Sequence, residues 1–132
     1  MHEYGLMEDI VAHAIEEAHR QGGRSVARVC LEVGELASAS VQALVAAFQA
    51  LSPGTLLDGA TLEVADVPGR LRCDACGFHG TVRDAGLEAA PPWICPACGS
   101  LLRAVEGKDI VLREITVWIA PGTTAGSRGG VR

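Results

Sequence analysis

The chain has 132 residues, with 16 Asp and Glu against 11 Lys and Arg for a net charge of −5, and 48% hydrophobic residues. That suits one small domain with a real core, filled by aliphatic side chains because only five residues are aromatic. The longest unbroken apolar run, Ala43 to Phe48, is six residues, far short of the ~20 a membrane span requires. Residues 1–69 hold ten of the acidic groups and three of the basic ones, which argues against the clustered cations that nucleic-acid binding needs.

Met1-His2-Glu3-Tyr4 lacks the basic start and apolar stretch of a secretory signal, so the expected location is the cytoplasm. Met7, Ile10, Val11, Ala14, Ile15 and Ala18 recur at helical spacing with Asp9, His13, Glu16, Glu17 and Arg20 opposite them, which predicts an amphipathic helix over residues 4–20 ended by Gly22-Gly23. From Val26 to Val33, Ala27, Val29, Leu31 and Val33 alternate with Arg28, Cys30 and Glu32, the pattern of a half-buried strand. Val41, Leu44, Val45, Phe48 and Leu51 define a second helix, with Ser40 placed as its N-cap. Leu62–Val67 and Asp109–Ile119 are rich in β-branched residues and read as strands, the second with its alternation disturbed at Arg113 and Glu114. The expected fold is α+β, two helices on a three-stranded sheet formed by residues 1–67 and 106–119. An arm is inserted at 68–105, and a disordered Gly-rich tail follows at 120–132.

Cys73-Asp-Ala-Cys76-Gly and Cys95-Pro-Ala-Cys98-Gly are two copies of one knuckle within that arm. Paired C-x-x-C motifs in a reducing compartment point to a four-thiolate zinc site rather than to disulfides. Four filled positions leave no place for a catalytic water, so the zinc is structural and the arm depends on it. A rubredoxin-like iron site shares this motif, and the knuckles alone would also suit a zinc-ribbon nucleic-acid or transcription adaptor. Cys30, the fifth cysteine, is expected to pack in its strand. There is no triad order and no phosphate-cradling glycine loop, which speaks against an enzyme.

His2 follows the initiator residue, and a bulky second side chain keeps Met1 in place with its amine beside the imidazole. The Met1 amine, the backbone amides of His2 and Glu3, and the His2 ring are nitrogen donors on one short segment, a set suited to planar Ni²⁺ or Cu²⁺. These donors must lose protons to bind, so uptake is expected to weaken with acid.

Taken in order, Met1-His2-Glu3-Tyr4, Val33-Gly34-Glu35-Leu36, Thr55-Leu56-Leu57-Asp58-Gly59-Ala60 and the two knuckles resemble the HypA/HybF family of hydrogenase nickel-incorporation proteins. The resemblance covers residues 1 to about 119. It implies a nickel metallochaperone, not an enzyme, that takes up Ni²⁺ at His2, with the Met1 amine and Glu3 beside it, and holds zinc on Cys73, Cys76, Cys95 and Cys98. It further implies delivery to the precursor large subunit of a [NiFe] hydrogenase, the GTPase HypB as partner, and in some members service to urease maturation, while the charge balance and the short apolar runs speak for no nucleic acid and no membrane. Some members have an acidic nickel-site residue where this chain has Ser40, so the resemblance supplies no carboxylate there. Asp9, His13 and His19 read as a solvated helix face, and His79 as arm surface. Glu35 and Leu36 read as shaping a turn.

Overall fold

The computed structural model describes residues 2–119 and 127–130. Helix α1 runs His2–Arg20, strand β1 Gly23–Gly34, helix α2 Val41–Leu51, β2 Thr61–Val67, β3 Arg70–Arg72, β4 His79–Thr81, β5 Arg103–Glu106, β6 Ile110–Ile119 and β7 Ser127–Gly130. One sheet has the order β2-β1-β6-β7, and a smaller one the order β4-β3-β5. The fold is α+β, and α1 begins at His2, two residues before the periodicity announces it, because the early turn carries no buried apolar residue to mark it. No helix among the described residues is long and apolar enough to cross a membrane.

The chain divides into two compact units. The first comprises Met1–Leu31, Ala39–Ala65 and Val111–Arg132. Here α1 packs on α2, burying Met7, Ile10, Val11, Ala14 and Ala18 from α1, and Leu44, Ala47 and Phe48 from α2. The three- and four-residue spacing of these positions is what places them on one helical face. Met7, Leu31, Leu44, Leu57 and Ile115 are fully buried, each contributing about 1.5–3 kcal/mol of hydrophobic stabilisation. On β6 the buried residues are Leu112, Ile115 and Val117, so the alternation breaks at Arg113 and Glu114. Arg28 on β1 reaches Glu63 on β2 and Glu114 on β6 at 2.5 and 2.9 Å, tying three neighbouring strands by one guanidinium fork.

The main sheet has four strands rather than the three expected, because Ser127–Gly130 pairs antiparallel with β6 over Glu114–Val117. Strand pairing uses the backbone, which a glycine-rich segment supplies as well as any other. The remainder of the expected disordered tail, residues 120–126 and 131–132, lies outside the described residues.

The second unit comprises Glu32–Ser38 and Asp66–Ile110. Its small core is Leu36, Leu71, Cys73, Val82, Ala85, Cys95 and Leu102, with Phe78, Leu87, Trp93 and Ala104 packed against it. Leu36 therefore belongs with a unit whose other core residues begin 35 positions later, at Leu71. Glu35 accepts from the Gly69 amide at 2.8 Å, and the Leu36 amide donates to the Gly107 carbonyl at 2.7 Å. The residues read as shaping a turn are anchors of this unit.

Candidate metal centre

The two cysteine knuckles have the same backbone wiring. The Gly77 amide donates to the Cys73 carbonyl at 2.9 Å and the Gly99 amide to the Cys95 carbonyl at 3.0 Å, while the Cys73 and Cys95 amides donate to the Phe78 and Ser100 carbonyls at 2.7 Å each. Each turn needs a left-handed residue at its end, which Gly77 and Gly99 provide with φ of 84° and 80°. β3 leads into the first knuckle and β4 leaves it. The second is flanked by an antiparallel bridge between Ile94 and Leu101.

All four sulfurs lie within 4.8 Å of one another. Cys73 and Cys98 Sγ are 3.6 Å apart, and Cys76 and Cys95 Sγ 3.7 Å. A tetrahedral ion with sulfur ligands at about 2.3 Å has edges of about 3.8 Å, so these pairs stand at the spacing that Zn²⁺ requires. Cys73 and Cys95 are buried, whereas Cys76 and Cys98 are exposed. Hydrogen bonds from Ser100 to the Cys98 sulfur lower its pKa to about 6. At Cys76 the Phe78 amide pulls the other way, but desolvation and the three neighbouring thiols outweigh it and raise the pKa to about 12. Thiols this close do not all ionise by themselves, and a divalent cation at their centre removes that conflict. The residues fit a zinc ion, which would cross-link the two knuckles and leave no open coordination position.

Asp74, inside the first knuckle, receives two hydrogen bonds from Arg103 on β5, Nε to Oδ2 and Nη2 to Oδ1, both 3.1 Å. That pair holds the carboxyl of Asp74 below its ordinary range. Neither it nor the Ser100 contact is legible from spacing, since both depend on how the knuckles sit on the small sheet.

Among the described residues the four cysteines are the one group of three or more metal-ligating side chains. His2 is exposed at the start of α1, Glu3 is half-buried beside it, and Met1 with its amine lies outside the described residues. Asp9, His13 and His19 are exposed on α1, and His79 is exposed on β4, where it pairs with Arg72. Cys30 is half-buried in β1 and is not a member of the cluster. Ser40 is the N-cap of α2 as its position predicts, accepting from the Ala43 amide at 3.1 Å. Its own amide donates to Glu3 Oε2 at 3.0 Å, a contact between two singled-out residues that nothing in the sequence pattern joins.

A family model described as hydrogenase/urease nickel incorporation, metallochaperone, HypA, matches residues 1–117. Curated proteins named hydrogenase maturation factor HypA are similar along the chain. The one from Methanocella arvoryzae is 36% identical over 117 residues, covering 89% of this chain and 98% of its own length. The one from Trichormus variabilis is 39% identical over 118 residues, covering 89% and 96%. In fold, the chain is similar to the solution structure of the Ni metallochaperone HypA from Helicobacter pylori, with a TM-score of 0.64 at 20% identity, covering 89% of this chain and 98% of that one.

Proposed function

The chain belongs to the HypA family of nickel metallochaperones in hydrogenase maturation, which are not enzymes, and we propose that it loads Ni²⁺ at His2 as cargo and holds a structural Zn²⁺ on Cys73, Cys76, Cys95 and Cys98. The observation that carries this reading is a family match that begins at the first residue and takes in both knuckles. Square-planar nitrogen donors suit nickel and a closed thiolate tetrahedron suits zinc, so the two ions are sorted by geometry and ligand softness. The position of His2 supports uptake. It is exposed and opens α1, and the first four amides of a helix have no intrahelical acceptor, so the His2 and Glu3 nitrogens are able to give up protons without breaking a helical bond. The Met1 amine completes the nitrogen set, with Glu3 alongside.

The protein works within the hydrogenase maturation machinery. In this reading it operates in the cytoplasm, passes nickel to the large-subunit precursor of a [NiFe] hydrogenase with a HypB-type GTPase as partner, and serves urease maturation where that enzyme is present. An exposed terminal site gives up its ion more readily than a buried cage, which a carrier needs. The family match replaces the reading of the knuckles as a nucleic-acid adaptor. The test is a Ni²⁺ titration of untagged protein against His2→Ala, with zinc measured in both. Nickel is expected to leave with the imidazole while zinc stays, and undiminished nickel binding by the variant would refute the assignment.

A further inference from the structure

Helix α2 begins with half of a capping box. Ser40 supplies its hydroxyl oxygen to the Ala43 amide at 3.1 Å and its carbonyl to the Leu44 amide at 3.0 Å. In the complete motif the third helical residue is Glu or Gln, whose side chain returns to the amide of the cap. Here that residue is Ala43, which has nothing to return, and the first turn of α2 contains no acidic residue. The Ser40 amide is nevertheless satisfied, because the carboxylate of Glu3, 37 residues away on α1, accepts from it at 3.0 Å. The missing half of the box is delivered by another helix.

Two consequences follow from the placement. A carboxylate is favoured at the positive end of a helix, and the hydrogen bond from Ser40 is the largest influence holding Glu3 below its ordinary range, with its own backbone next. Glu3 also adjoins His2, so one bond to α2 restricts the turn on which the imidazole is carried. The bond to Ser40 takes up Oε2 and holds the carboxylate against the amino end of α2.

We infer that the Glu3 side chain is a positioning group, whose carboxylate holds the first turn of α1 on the amino end of α2 and so presents His2 and the backbone nitrogens beside it to nickel, without the carboxylate itself being a ligand. The inference rests on nickel loading at His2. It also explains how this chain uses Ser40: the position keeps the amide that Glu3 grips, and no side-chain ligand is required from it.

The experiment titrates Ni²⁺ into untagged, zinc-loaded protein and compares Glu3→Gln, Glu3→Ala, Glu3→Ala with Ala43→Glu, and His2→Ala, with the nickel donor set read by X-ray absorption and stability by thermal unfolding. Glu3→Gln keeps an oxygen for the Ser40 amide and is expected to bind nickel within about threefold of the parent with an unchanged donor set, whereas Glu3→Ala, which loses a charged hydrogen bond, weakens binding about tenfold or more. The double variant rebuilds the capping box within α2 but not the tie between helices, so it is expected to regain thermal stability and not nickel affinity. Loss of an oxygen donor in Glu3→Gln would make Glu3 a ligand and overturn the inference. Recovery of nickel binding in the double variant would reduce Glu3 to a stabiliser of α2 and overturn it as well. Nickel retained by His2→Ala would instead overturn the parent reading, whatever Glu3 does.

Discussion

Gly34 and Gly107 meet backbone to backbone, so closely that a Cβ on Gly34 would stand 2.2 Å from the Gly107 carbonyl oxygen. The contact is fastened on both sides, by the Gly34 amide donating to Asp109 at 2.9 Å and the Leu36 amide donating to Gly107 at 2.7 Å. Gly107 has a φ of 65°, and a Cβ there would strike the Pro68 carbonyl oxygen at 2.4 Å. Backbone atoms cannot rotate out of the way as a side-chain end can.

Gly34→Ala is therefore expected to destabilise the second unit by about 1–3 kcal/mol or more, the usual cost of overpacking a filled site. Gly5→Ala is the control: it lies in α1 with nothing within 4 Å of the added methyl and should stabilise by about 0.5–1 kcal/mol. Chemical denaturation of the two variants checks the opposite signs.

Leu36→Ala should remove about 2–5 kcal/mol from the second unit, because a buried leucine leaves a cavity as well as losing its transfer free energy. Leu36 sits in the same cluster as Cys73 and Cys95, so the variant is expected to release zinc to a chelator faster than the parent. An unchanged release rate would show that the cluster does not support the cysteines.

Cys76→Ala leaves three sulfurs and an open position. Structural zinc is worth roughly 10–16 kcal/mol in small isolated modules, more than the short core around Leu71 and Leu102 can replace. Zinc content is expected to fall and amide protection to vanish in β3, β4 and β5, while α1 and α2 keep theirs in hydrogen exchange.

Carboxylates held below their ordinary range make the fold sensitive to acid, Glu17 beside Arg20 among them. The Ser40 amide lowers Glu3, Arg103 lowers Asp74, and the Thr81 amide and hydroxyl lower Asp84. A carboxyl whose folded value is depressed contributes stability that is complete above its unfolded value and disappears as pH falls through the folded one. These contributions should thus be intact above about pH 5 and fade as pH falls below about 4 toward the depressed folded values. Asp84→Asn and Glu3→Gln should each flatten that acid limb in unfolding measured against pH.

Nickel uptake has its own dependence on acid. Nitrogen donors bind the ion only without their protons, so affinity is expected to be lower at about pH 6 than at about pH 8. Isothermal titration at the two values checks this, and equal affinities would count against amine, amide and imidazole donors.

Much of the molecule was readable from spacing. Met7, Ile10, Val11, Ala14 and Ala18 identify the buried face of α1 because a helix returns to the same side every three to four residues. Val29, Leu31 and Val33 do the same for β1 at a period of two. Cys73 with Cys76, and Cys95 with Cys98, each form a turn whose geometry is local, so two such turns with matching glycines already specify a four-sulfur cluster.

The remaining features depend on which distant segments lie together. The tie from Glu3 to Ser40, the membership of Leu36 in the second core, the meeting of Gly34 with Gly107, and the pairing of Ser127–Gly130 with β6 have no periodic signature. A local motif is set by the reach of a few backbone bonds, and sequence alone determines it. A contact across tens of residues is set by mutual packing and by backbone groups that every residue carries, and only the tertiary structure decides it.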